Sequence, residues 1–269
     1  IVLDENGNLT YGVEQNGETA IAAGSKLGIK TNNVDLSTGL AFQEKQDNEI
    51  DESFEMMSGK FLQIENEANE LILTFVKNGY ALKVITRAYD DGVAYRYQII
   101  GGGNLNITDE TSSVIAPNGA ESYSMGYGGW GFSYEDYFRH NTVSSLNGNI
   151  SIPVLYYNDD LHVLFSEADL TASGTFCGAL VQTSSGSSEL NVQFASGSNI
   201  NVGLPFESPW RYAVIGDMEA VYENTMAIKL SDAPDDETYH FSEWVEPGVV
   251  SWTWLAEGET RGGQQNIAA

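Results

Sequence analysis

Short runs of β-branched and aromatic residues, cut at close intervals by glycine-bearing turns, constrain this chain to strands rather than helices. Asn6-Gly7 and Asn16-Gly17 bracket Leu9 to Gln15. Asn-Gly is a strong hairpin signal because both central turn positions need positive φ. Leu71 to Val76 reads as a buried strand, and Asn78-Gly79 turns it into Tyr80 to Tyr89. Asp90-Asp91-Gly92 makes the next turn, into Val93 to Ile100. There Val93, Tyr95, Tyr97 and Ile99 fall on one face, with Ala94, Arg96 and Gln98 on the other. That alternation predicts a strand with one wetter face. Further strands are expected at Leu161 to Ser166, Leu190 to Phe194, Arg211 to Ile215 and Thr225 to Lys229. Ser133 to Arg139 and Asp217 to Glu223 are candidates for single helical turns. No fixed-period repeat is present, which disfavours a solenoid or propeller. The expected fold is all-β: one large antiparallel β-sandwich, with a closed barrel as the rival.

The charge balance restricts partners. Twelve basic residues face 38 acidic ones, for a net charge of −26. Such a field repels phosphate backbones and anionic lipid surfaces, so nucleic-acid binding by electrostatics is not expected. A neutral sugar or a divalent cation is compatible with it. No apolar stretch is long enough to span a bilayer. The single cysteine, Cys177, sits among small and apolar residues and reads as a buried, inert thiol. The chain starts at Ile1 without methionine, which fits a processed or trimmed N-terminus. The expected location is secreted or periplasmic.

Near residue 231 the composition shifts. Ser231 to Glu237 is acidic and contains Pro234, as a linker would. Glu246-Pro247-Gly248 is a second break, followed by the dense β-type run Val249 to Trp254. The expected organisation is a sandwich over 1–245 and, over 246–269, a linker with the first strand of something larger.

Four segments resemble glycoside hydrolase family 97. They are Arg87 to Tyr97 (RAYDDGVAYRY), Ser166 to Leu170 (SEADL), Ser208 to Arg211 (SPWR) and Glu246 to Trp254 (EPGVVSWTW). The resemblance implies an N-terminal β-supersandwich followed by a catalytic (β/α)8 barrel, of which this chain would hold only the first strand. It also implies activity of the whole enzyme on α-glucosides or α-galactosides, with calcium as cofactor. Glycoside hydrolysis needs two carboxyl groups flanking the scissile bond. The family's pair lies in the barrel, so no catalytic residue is assigned to this chain.

Glu167 is the candidate metal ligand. The resemblance implies that it is lent to calcium in the barrel's pocket, and calcium takes six to eight oxygens with a preference for carboxylates. Without the resemblance it reads as a solvated glutamate at a strand end. Asp169, two residues on, is a weaker candidate on the same face. Trp130, Tyr134 and Glu135 lie in a glycine-rich aromatic segment. They are candidates for sugar stacking, against the plainer reading of a loop anchored in the core. Asp90-Asp91 reads as turn chemistry, and Trp210-Arg211 as a packing pair at a domain interface. His140, His162 and His240 show no zinc-type spacing. Two other functions stay open at this point: a free-standing carbohydrate-binding module, and an adhesion sandwich with no sugar role.

Overall fold

The computed structural model describes residues 1–128, 136–170, 178–182 (backbone), 186–194, 200–232, 237, 240 and 243–249. β1 (Val2–Leu3), β2 (Leu9–Gln15) and β3 (Glu18–Leu27) form a three-stranded sheet. β4 (Ile29–Thr31) follows, and then a four-strand meander: β5 (Ala41–Glu55), β6 (Gln63–Lys77), β7 (Tyr80–Tyr89) and β8 (Gly92–Ile100). Next come β9 (Asn104–Glu110), β10 (Ser113–Ile115), β11 (Glu121–Ser124), β12 (Arg139–Thr142) and β13 (Asn149–Ile150). β14 (Val154–Asn158), β15 (Leu161–Ala168), β16 (Gly178–Gln182), β17 (Glu189–Phe194), β18 (Ile200–Gly203), β19 (Phe206–Glu207) and β20 (Trp210–Gly216) complete the strands among the described residues. Two short helices, α1 (Met218–Glu223) and α2 (Met226–Lys229), follow.

A ten-stranded antiparallel sheet dominates, in the order β12-β11-β14-β15-β20-β8-β7-β6-β5, with β19 beside β8. Three smaller sheets, β1-β2-β3, β10-β17-β16-β13 and β18-β9-β4, supply the opposing apolar surface. One core cluster joins them: Tyr97, Ile99 and Phe165 from the large sheet meet Ile21, Ile107 and Val192 from the small ones. This is the sandwich that the alternating pattern predicts. Asn16 and Asn78 have φ of 54° and 51°, and Gly17 and Gly79 have 85° and 80°, as the Asn-Gly turns require.

A second, smaller cluster lies on the other face of the large sheet. Ile85, Ala94, Trp210 and Tyr212 there meet Met226 and Leu230. Ala94 is buried under this layer, while Arg96 and Gln98 beside it are half-buried, so their face of β8 is the wetter one as expected. One expectation is corrected. Thr225 to Lys229 is not a strand: Met226 and Leu230, four apart, bury one face of α2. A short run with one β-branched pair cannot be assigned by propensity once tertiary packing decides it. Asp217 does cap a helix, its carboxylate accepting from the Ala220 amide at 2.9 Å.

The chain falls into two compact units, one of Ile1–Phe54 with Ile64–Asp232 and a second of Glu55–Gln63 with Ala233–Ala269. Trp252, Trp254 and the rest of the run from residue 250 on lie outside the described residues, as does Cys177.

Gly92 is fixed by a close approach. A Cβ there would collide with the Ala213 carbonyl oxygen of β20 and lie 2.8 Å from the Met226 Cε. Backbone cannot yield as a side-chain tip does. Gly92→Ala is therefore expected to destabilise the domain by about 1–3 kcal/mol, read as a lowered urea midpoint at unchanged slope.

Candidate functional site

Glu167 lies within β15, one residue before its end. Val163, Phe165 and Glu167 share the face toward the main core, by the period of two along a strand. Opposite it in register stands Arg211 of β20, and opposite Arg211 on the far side stands Tyr95 of β8. Arg211 is 1% exposed. Its Nη1 donates to Glu167 Oε2. Its Nη2 donates to Glu110 Oε2 at 2.8 Å and its Nε to Glu110 Oε1 at 3.3 Å. Glu110, at the end of β9, is 2% exposed. One guanidinium thus holds two carboxylates in the interior, and this triad carries a net charge of −1.

Burial works against the Arg211 charge, but Glu110 and Glu167 outweigh it and push the guanidinium's pKa up. Below the cluster lie Tyr97 and Ser112. The Tyr97 hydroxyl is 2.7 Å from Ser112 Oγ and accepts from the Gly28 amide at 2.9 Å. Burial first, and then the Glu110 charge, push that hydroxyl well above its ordinary range.

The opposite face of the same strand end is also clamped. Trp210, 1% exposed, lies between the Arg87 guanidinium at 4.7 Å and that of Arg96 at 4.6 Å. Such cation–π pairs are stronger when desolvated. Arg87 pairs with Glu70 at 2.9 Å, and Arg96 lies 3.5 Å from Asp169 and 3.4 Å from Glu207. Asp169 has φ of 58° and is buried. This left-handed residue turns the chain, so Asp169 joins Arg96 on the outer face instead of sharing the face of Glu167. Burial, with the charge of Asp232, raises its carboxyl pKa against the opposing pull of Arg96.

Trp210 and Arg211 are therefore interior residues of this domain, on opposite faces of β20, and not a pair at a domain boundary. Glu167 is not a solvated glutamate, because its side chain is only 11% exposed. Three of the four segments singled out in the sequence meet here: Arg87 and Arg96, Glu167 and Asp169, Trp210 and Arg211. Glu110 escapes a reading of the sequence, because its partner is 101 residues away and nothing local marks it. Asp90-Asp91 is the two-residue turn between β7 and β8, as its composition predicts. Trp130, Tyr134 and Glu135 lie outside the described residues.

As a metal site the arrangement is partial. Among the described residues no group of three His, Cys, Asp or Glu side chains could hold an ion. Glu167, at a strand end, offers a single carboxylate, and the Arg211 guanidinium already donates to it. Glu110 has both oxygens on Arg211 and is spent.

Removing Arg211 would strand two buried carboxylates. Arg211→Met is expected to cost about 3–5 kcal/mol at pH 7, measured by denaturant unfolding. Unpaired buried carboxyls titrate above their unfolded values. The deficit should therefore shrink as pH falls through the carboxylate range and grow as pH rises.

Comparison with known proteins identifies the family. The family described as "Glycosyl-hydrolase 97 N-terminal" matches residues 1–233. A "Probable retaining alpha-galactosidase" of Streptomyces bingchenggensis is 28% identical over 258 residues, 95% of this chain. The "Retaining alpha-galactosidase" of Bacteroides thetaiotaomicron is 26% identical over 225 residues, 71% of this chain. The chain spans only 39% and 33% of the length of these two relatives. Among solved structures, a glycoside hydrolase family 97 enzyme from Pseudoalteromonas sp. strain K8, in complex with acarbose, superposes with a TM-score of 0.77 at 22% identity. That match covers 86% of this chain and 36% of the enzyme. A β-arabinopyranosidase superposes with a TM-score of 0.74 at 24% identity, covering 84% of this chain and 39% of its own. By the match over residues 1–233, the chain belongs to the glycosyl-hydrolase 97 N-terminal family.

Proposed function

We propose that this chain is the non-catalytic N-terminal sandwich of a family 97 glycoside hydrolase. In this reading it packs on a catalytic (β/α)8 barrel of the same polypeptide and closes one side of the sugar pocket. It also lends Glu167 to a calcium ion there. The whole enzyme would act on α-galactosides or α-glucosides, outside the cytoplasm as a secreted or periplasmic protein. The names of the two curated relatives favour the α-galactoside.

One observation carries this reading: three separate segments converge to hold one strand end on both faces, and that end bears a surplus carboxylate. Arg211 meets both Glu110 and Glu167, one positive charge for two carboxylates, and a cation beside Glu167 would even that count. Arg211 also fixes the side chain beforehand, which lowers the entropic cost of ligation. When bound, calcium would supply positive charge to polarise and orient a sugar oxygen. The chain's own part is to hold Glu167 in place and to wall off water. The same pairing argues against catalysis by these carboxylates. A group held on a guanidinium is not free to protonate a leaving group, and glycosidases need one that is.

Two measurements test this. In the polypeptide joined to its barrel, Glu167→Gln is expected to weaken calcium binding by about tenfold or more in a calorimetric titration, with the domain's melting point kept. Unchanged calcium affinity would reduce Glu167 to a structural partner of Arg211. The present chain alone should not hydrolyse aryl α-galactosides or α-glucosides, and measurable turnover would refute the non-catalytic reading.

A further inference from the structure

The outer face of the ten-stranded sheet is covered unevenly. The packing of α1 and α2 falls on β15, β20, β8 and β7. Beyond it, across β14, β11 and β12, the face carries aromatic rings that are exposed or half-buried. Register sets them side by side: His140 lies opposite Tyr123, and Tyr157 opposite His162. Tyr123 and His140 stack at 4.8 Å and 24°, Tyr123 and Tyr157 at 6.2 Å and 17°, and Tyr157 and His162 at 5.2 Å and 21°. Glu121, two residues before Tyr123 and on its face, accepts from the Tyr157 hydroxyl at 2.8 Å. His140 Nε2 lies 2.7 Å from the same oxygen. Phe138 precedes His140 by two residues and is 56% exposed.

Cross-strand aromatic pairs commonly serve only to pack a sheet, and do so by burying their rings. Here Tyr123 is 41% exposed and the His140 side chain 48%. Hydrogen bonds from Tyr157 and His140 hold the Glu121 carboxyl below its usual range, so the patch keeps a negative charge. That charge and the net −26 repel an anionic partner. A purely apolar partner would strip water from Glu121 and the imidazole and replace no hydrogen bond. A neutral sugar meets both demands. Its C–H faces pack on rings, and its hydroxyls bond to carboxylate, phenol and imidazole.

We propose that this patch, centred on Tyr123, Glu121, His140 and Tyr157, is a binding surface for a neutral oligosaccharide. It is separate from the strand end that carries Glu167, whose side chain faces the core side of the sheet. The two proposals stand or fall independently, because binding here needs neither calcium nor a barrel.

Affinity electrophoresis of this chain through gels containing soluble starch or galactomannan tests it. Retardation is expected in at least one gel. Tyr123→Ala should weaken the apparent Kd by about tenfold, with an unchanged melting temperature. Should Tyr123→Ala melt early, Tyr157→Phe replaces it, since that change keeps the ring and removes only the hydroxyl. Reduced retardation of that variant supports the proposal. The proposal is overturned if neither gel retards the chain, or if the well-folded variant runs as the parent does. Sedimentation that shows self-association abolished by Tyr123→Ala would also overturn it, assigning the patch to a second copy of the chain.

Discussion

A single buried guanidinium organises this domain. Arg211 is buried away from solvent, and its charge is met by Glu110 from one layer and Glu167 from the other. Pairs of this kind often contribute little net stability, because desolvating the ions offsets their attraction. What they do contribute is geometry: with three groups locked together, β9, β15 and β20 have one relative placement that satisfies all of them. The surplus negative charge is the chemical consequence, and the calcium proposal rests on it.

The second layer explains why that placement holds. Trp210 on the outer face keeps Arg87 and Arg96 within cation–π distance of its ring, and Arg96 in turn holds Asp169 at the turn after β15. The strand end is thus gripped from above and below by adjacent residues of β20. Alternation along one strand makes this possible, since Trp210 and Arg211 necessarily point to opposite faces. Gly92 belongs to the same construction, because only its bare Cα lets β8 approach β20 closely enough for Tyr95 to stand beside Arg211.

Much of the fold was legible in the sequence. The Asn-Gly dipeptides, the alternation from Val93 to Ile99 and the apolar run from Leu71 to Val76 are local signals, and local geometry decides them. Thr225 to Lys229 misled because a few apolar residues suit either period, and contact with the outer layer chose the helix. The site was legible only in pieces. Each of the segments RAYDDGVAYRY, SEADL and SPWR could be singled out, but not their convergence, which is a property of strand order. Glu110 and the ring row of Tyr123, His140 and Tyr157 left no local trace, because cross-strand neighbours are set by register between distant residues.

The central claim is that Arg211 holds Glu167 as a ligand for a metal completed by another domain. A crystal structure of the barrel-joined polypeptide grown with calcium tests it most directly. The account predicts a Glu167 oxygen about 2.3–2.6 Å from the ion, with Arg211 still paired to Glu110. A calcium ion ligated by barrel residues and water alone, with Glu167 turned wholly toward Arg211, would contradict it.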